Sequence, residues 1–212
     1  MQYYLIDTET TGLVCGYNEV VEISIIRISD KVQLTRQIRA LHPERASLDS
    51  LKIIGKSKYQ LSEGISSLEA IEISNKFMNE DGLSPKQRCI IAHNAPFDRR
   101  FCHNMWETYN SIFPADYWVD TMAIMRKYNK TAGIKSKVNL QDSLDSLGIV
   151  KVAGLHNAKS DTQNTFKLWK KLTDELGVDY LEFIKNHAMG KTSDEDLQSL
   201  IHEEGSGEET SD

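Results

Sequence analysis

The sequence predicts an α/β protein built on a mixed β-sheet of about five strands flanked by helices. Three observations carry that prediction. Three β-rich runs follow one another in hairpin-like succession at the start of the chain, and strand and helix patterns alternate after them. The composition, 40% hydrophobic and 26% charged over 212 residues, supplies a core of the size one domain needs. Hairpins require antiparallel pairs and the alternation requires parallel ones, which is what makes the sheet mixed.

In chain order, residues 2 to 7 read as the first strand. Residues 19 to 29 (EVVEISIIRIS) and 31 to 40 (KVQLTRQIRA) read as the second and third, with Ser29-Asp30 as the turn between them. A helix is predicted over residues 66 to 80, where Leu68, Ile71, Ile73 and Phe77 form the apolar side. Arg88 to Ala92 is a buried-looking strand, and the next helix opens at Pro96, the residue best tolerated at a helix start. A short strand at Tyr117 to Asp120 leads to helices near 121 to 128, 139 to 147 and 157 to 176. The pattern places one domain at residues 1 to 188 and an acidic tail at 189 to 212. Residues 193 to 212 hold eight acids and no Lys or Arg, with room for one short helix near 196 to 201 and no means of building a core.

Composition also excludes. Cys15, Cys89 and Cys102 are odd in number and form no C-x-x-C pair, which argues against a disulfide framework or a structural zinc and for a reducing cytoplasm. The chain enters a strand-like run at once, so no signal peptide is expected, and no apolar stretch is long enough to span a bilayer. The net charge of −6 at first argues against nucleic acid, but it sums two unlike parts. Residues 1 to 192 carry 25 bases against 23 acids, and the deficit belongs to the tail.

Acids stand where periodicity asks for apolar side chains. The strand period of two puts Tyr3, Leu5, Asp7 and Glu9 on one face, with the two carboxylates about 7 Å apart along the backbone if the strand persists. On the helix from Pro96, Asp98 opens the stripe Asp98, Cys102, Met105, Tyr109; on the last long helix, Asp161 interrupts Ala158, Thr165, Leu168 and Leu172. Singly, each acid has a bland reading as a strand end or a helix-start residue. Jointly those readings do not explain why all four lie on inward faces, where an unpaired carboxylate costs several kcal/mol. A divalent metal is the common cause, and an all-oxygen donor set favours Mg²⁺ or Mn²⁺ over zinc.

These residues resemble the DnaQ-like DEDDh branch of the 3′–5′ exonucleases. The first motif stands as Asp7-Thr8-Glu9-Thr10-Thr11-Gly12 against the family's D-x-E-T-T-G, the second as Ala92-His93-Asn94-Ala95-Pro96-Phe97-Asp98, and the third as His156 and Asp161 in H-x-x-x-x-D spacing. The resemblance runs from about residue 3 to 176 and implies a ribonuclease-H-like fold. It implies two divalent ions held by Asp7, Glu9, Asp98 and Asp161, and His156 as general base. Five residues along a helix would put His156 about 140° from Asp161, so His156 is expected on a loop before the helix. It further implies that Thr10, Gly12 and Leu13 meet the terminal nucleotide and that His93, Asn94 and Phe97 shape its pocket. For His93 a hydrogen-bonded wall role, and for Phe97 a core contact with Phe101, stand equally. Asp120 matches a recurrent family acid or is the N-cap of the helix after it.

The function so implied is hydrolysis of phosphodiester bonds at the 3′ end of single-stranded DNA or RNA, releasing nucleoside 5′-monophosphates. The alternatives are an RNA-trimming or oligoribonuclease-like enzyme and, in a different class, a non-catalytic nucleic-acid-binding or assembly module of a replication complex. Partners implied are nucleic-acid 3′ ends and a DNA polymerase or a replication or repair complex, with no membrane. The acid-free stretch 121 to 141 contains Arg126, Lys127, Lys130, Lys135 and Lys137, a solvated face or a backbone-tracking groove.

Overall fold

The protein, as a computed structural model, is described for residues 1–153 and 157–189. Its centre is a six-stranded sheet: β1 (Gln2–Thr10), β2 (Val20–Arg27), β3 (Gln33–Gln37), β4 (Arg88–Ala92), β5 (Tyr117–Asp120) and β6 (Lys185–Asn186), in the order β3-β2-β1-β4-β5-β6. Strands β1, β4 and β5 run parallel, and the other three pair antiparallel. The helices are α1 (Leu48–Ile54), α2 (Ser67–Asn79), α3 (Ala95–Thr108), α4 (Thr121–Ala132), α5 (Leu140–Ser146) and α6 (Ala158–Lys170). After Lys170 the backbone widens into a π turn over Lys171–Glu175, so the long last helix predicted from the sequence is α in its first thirteen residues only.

Alternation along the central strands fills both faces of the sheet. Tyr4 and Ile6 of β1 and Ile90 of β4 join Phe101 and Trp106 of α3 in one buried cluster. Their neighbours Leu5 and Ile91 face the other way, into a cluster with Ile124 of α4 and Leu168 of α6. Strands buried on both faces read as nearly continuous apolar runs, which is why β4 is found at the residues predicted.

Two elements escape the sequence pattern. Strand β6 makes the sheet six-stranded rather than about five, and at two residues it is too short to show a period. Residues 41–65, for which the pattern predicts no element, contain α1. Its signals are at the ends: the Ser47 side chain accepts from the Ser50 amide, and Gly55 closes the helix at φ 64°. Of the proposed tail, residues 190–212 lie outside the described residues, as does His156. No described helix is long and apolar enough to cross a membrane.

Candidate active site

β1 continues to Thr10, and its pairing with β2 is in regular register from Tyr4 to Glu9, which keeps Asp7 and Glu9 on one face. That strand is the sheet's change of direction, antiparallel to β2 and parallel to β4. Asn94, in the left-handed conformation at φ 73°, turns the chain from the end of β4 into α3. One Asp120 oxygen accepts from the Asn94, Ala95 and Met122 amides, so a single carboxylate caps α3 and α4 together. This is the capping reading of Asp120, extended to a second helix. Asp98, in the first turn of α3, is buried, and its Oδ1 accepts the Thr8 amide and the Thr8 hydroxyl at 2.9 Å each.

From the opposite face, α6 packs across β1 and β2 and brings Asp161 in. Asn157 caps this helix by accepting the Ser160 amide at 2.9 Å. Asp7, Glu9 and Asp161 each offer a carboxylate oxygen within 4.8 Å of the others. Three half-buried carboxylates so close, with Asp98 adjoining Asp7, are a hard, all-oxygen donor set that fits a divalent cation.

The electrostatics agree. Burial, then Asp161, Glu22 and Asp98, push the Glu9 carboxyl up to about 8. Burial pushes Asp98 up to about 7, against the two Thr8 hydrogen bonds that pull it down. Asp7 is raised well above the usual carboxylate range by burial, then by Asp98, Glu9, Asp161 and Glu22. Acids raised in the folded state bind protons the unfolded chain has already released, so folding loses stability as pH rises through those values. Metal-free protein is therefore expected to melt at a higher temperature at pH 6 than at pH 9, with added Mn²⁺ narrowing the gap. Thermal melts with and without the ion check this, and a midpoint that rises with pH over that range would contradict it.

Two residues of the site go beyond the sequence reading. Glu22 stands opposite Glu9 in the β1–β2 register, on the same face, and Lys56, just past α1, meets its carboxylate at 3.1 Å. Glu22 had a legible signal, an acid inside the strand run VVEISIIR. Lys56 had none, because its reach depends on the fold of residues 41–65.

The other expected substrate residues are distributed as follows. Thr10 is buried, its hydroxyl donating to the Gly12 carbonyl at 2.7 Å. A Cβ at Gly12 would come within 2.5 Å of the Asn18 side chain, which itself ties the loop together by accepting the Val14 amide and donating to the Arg45 carbonyl. Leu13 is 75% exposed beside this loop, an apolar side chain that none of the described residues covers. Phe97 is half-buried, 4.8 Å from the Phe101 ring, with the Arg100 guanidinium near both. His93 turns inward: Nε2 donates to the Val138 carbonyl at 2.8 Å and Nδ1 accepts from Thr121 at 2.9 Å, and burial holds it below its usual value. Of the basic stretch, Lys127 is paired with Glu182.

A mixed sheet with acids converging on its central strand is the arrangement of a nuclease family whose model this chain matches. The chain belongs to the exonuclease family named for RNase T, whose model matches residues 5–169. That family is described as one of exonucleases, which are hydrolases. Among curated proteins it is 26% identical over 196 residues to a PolC-type DNA polymerase III of Thermotoga petrophila, covering 87% of this chain and 13% of that one. With the same type of polymerase from Mycoplasma genitalium it shares 24% over 211 residues, 94% of this chain and again 13% of the relative. The chain thus spans about an eighth of the length of these relatives. Among solved structures it is similar to E. coli exonuclease I in complex with a dT13 oligonucleotide, with TM-score 0.67 and 16% identity over 85% of this chain and 43% of that one. It is also similar to the nuclease domain of 3′hExo bound to rAMP, with TM-score 0.65 and 15% identity over 88% and 96%. At these identities the likeness is one of fold.

Proposed function

We propose that the protein is a metal-dependent 3′–5′ exonuclease acting on single-stranded ends and releasing nucleoside 5′-monophosphates. The observation that carries this is the convergence of Asp7, Glu9 and Asp161 within 4.8 Å, with Asp98 alongside. In this reading the four acids hold two Mg²⁺ or Mn²⁺ ions. Bound there, the ions supply Lewis acidity to the attacked phosphate and to the departing 3′ oxygen. Of the chain's own residues, Thr8 fixes Asp98 by two hydrogen bonds, and Lys56 offsets the charge of Glu22 beside Glu9. His156, five residues before Asp161, takes the proton from the attacking water; an oxygen–phosphorus bond forms and the bond to the 3′ oxygen breaks. Exposed Leu13 and half-buried Phe97 offer apolar surface to a terminal base, which needs no sequence reading.

DNA is the favoured substrate. The PolC-type relatives are DNA polymerases and one structural neighbour holds a DNA oligonucleotide, which also makes a polymerase or repair complex the partner class. The neighbour holding rAMP keeps RNA as the second reading. Three free cysteines suit a reducing cytoplasm. A panel of 5′-labelled single-stranded DNA, duplex DNA and RNA, with Mg²⁺, Mn²⁺ or EDTA, tests all of this together. The expected result is a ladder shortening from the 3′ end, fastest on single-stranded DNA and absent in EDTA. Full activity in excess EDTA would end the metal mechanism, and shortening from the 5′ end would end the assigned polarity.

A further inference from the structure

On the α3 side of the β5–β6 edge, Arg99, Lys185, His187 and Trp118 gather N–H groups around one cavity. Arg99 and His103 lie four residues apart on α3 and so share one helix face. Trp118 stands opposite Lys185 in the β5–β6 register, with His187 two residues further on. Arg99, Trp118, Phe183, Lys185 and His187 line a cavity of about 130 Å³ beside the start of α3. Arg99 is half-buried and makes no ion pair among the described residues; its hydrogen bond is to His187 Nδ1 at 2.6 Å. The Trp118 indole nitrogen, buried on a side chain 2% exposed, has no hydrogen-bond partner among the described residues, and neither has His103 Nε2.

Burial, then Arg99 and His187, push His103 down to about 4; burial, then Arg99 and Lys185, push His187 down as well. Asp120 is the acid among the lining residues, and its Oδ1 is already engaged by three backbone amides. A partly desolvated guanidinium with no ion pair among the described residues is favoured by an acceptor-rich anion beside it. A tetrahedral oxyanion matches the guanidinium fork and leaves oxygens for the lysine.

We propose that this cavity is a phosphate-binding site, distinct from the catalytic acids, that takes the phosphoryl group of a free nucleotide or of a nucleic-acid backbone. The assignment stands on these residues alone and does not depend on what the acids hydrolyse.

Metal-stripped full-length protein is the material for the test. The Trp118 indole N–H resonance, assigned by its loss in Trp118→Phe, is followed during titration with inorganic phosphate, a nucleoside 5′-monophosphate, or single-stranded oligonucleotides of increasing length, at constant ionic strength. A saturable shift is expected, weakened about tenfold in Arg99→Gln, as loss of a charge-assisted hydrogen bond implies. Lys185→Gln, on the exposed edge strand, is expected to weaken it too, and serves if Arg99→Gln does not fold. Equal affinity for phosphate and nucleotide identifies a free-anion site, whereas affinity that grows with oligonucleotide length identifies the backbone. No saturable shift with any of the three ligands, or equal affinity in wild type and both variants, overturns the proposal.

Discussion

Asp7→Asn is expected to lower exonuclease turnover by about 10³-fold or more, because several kcal/mol of charge stabilisation at the phosphate depend on the ions this carboxylate helps to hold. Asparagine keeps the size and one acceptor oxygen, so packing around β1 is retained. The change also relieves repulsion: Asp7 is raised by burial and by Asp98, Glu9, Asp161 and Glu22. The metal-free variant should therefore melt at the same temperature as wild type or higher, while its Mn²⁺-induced stabilisation is lost. Activity loss together with a lower metal-free melting point would mean that Asp7 is a structural residue. His156→Ala is the contrast, expected to cost about 10²- to 10⁴-fold in rate as the loss of a general base, with divalent-ion affinity retained. Calorimetric ion titration of the two variants separates holding the ion from moving the proton.

Asp81→Ala is expected to destabilise the fold by about 3–5 kcal/mol, lowering the melting midpoint by roughly 6–20 °C. Arg88, the first residue of β4, is 0% exposed. Its guanidinium is held by the Asp81 carboxylate, Asn79 Oδ1 and the carbonyls of Leu83 and Pro114, while the Tyr4 hydroxyl donates to Asp81 and to the Met78 carbonyl. Removing Asp81 leaves a buried cation without its charge partner, the costly way to break such a pair. Burial alone would raise the Asp81 carboxyl; the Arg88 hydrogen bonds, the Leu83 amide and Tyr4 outweigh it and hold it below its usual 3.8. Its contribution is thus complete above that value and lost as pH falls below it, the reverse of the site acids. Asp81→Asn keeps the shape and removes the charge. A loss much smaller than that of Asp81→Ala would assign the effect to hydrogen bonding, and no loss in either would refute the ion-pair account. Thermal melts near neutral pH decide.

Much of the site was legible because chemistry broke periodicity. Asp7, Glu9, Asp98 and Asp161 each interrupt an apolar stripe, and a residue that violates its own pattern is visible without a structure. The central strands and α3 were legible for the complementary reason, their patterns being long and unbroken. What escaped depended on tertiary placement. Glu22 lies in a strand where it reads as one polar residue among apolar ones, and its meaning comes from the register that sets it against Glu9. Lys56 follows a seven-residue helix whose caps are local but whose position over the sheet is not. His93 illustrates the converse: its place in a motif predicts a pocket, while its two hydrogen bonds show a side chain that ties the end of β4 to Thr121 and Val138.

The acids are far apart in sequence, Asp7 on the first described strand and Asp161 on the last described α-helix. Contacts so distant in sequence form late in folding and late in synthesis, since the ribosome releases β1 long before α6. A nascent chain that has already assembled the hairpin β1–β2 carries two of the three clustered acids and lacks the third. On the proposed function the metal-holding set is incomplete until α6 docks, and a chain truncated before Asp161 is expected not to cut nucleic acid.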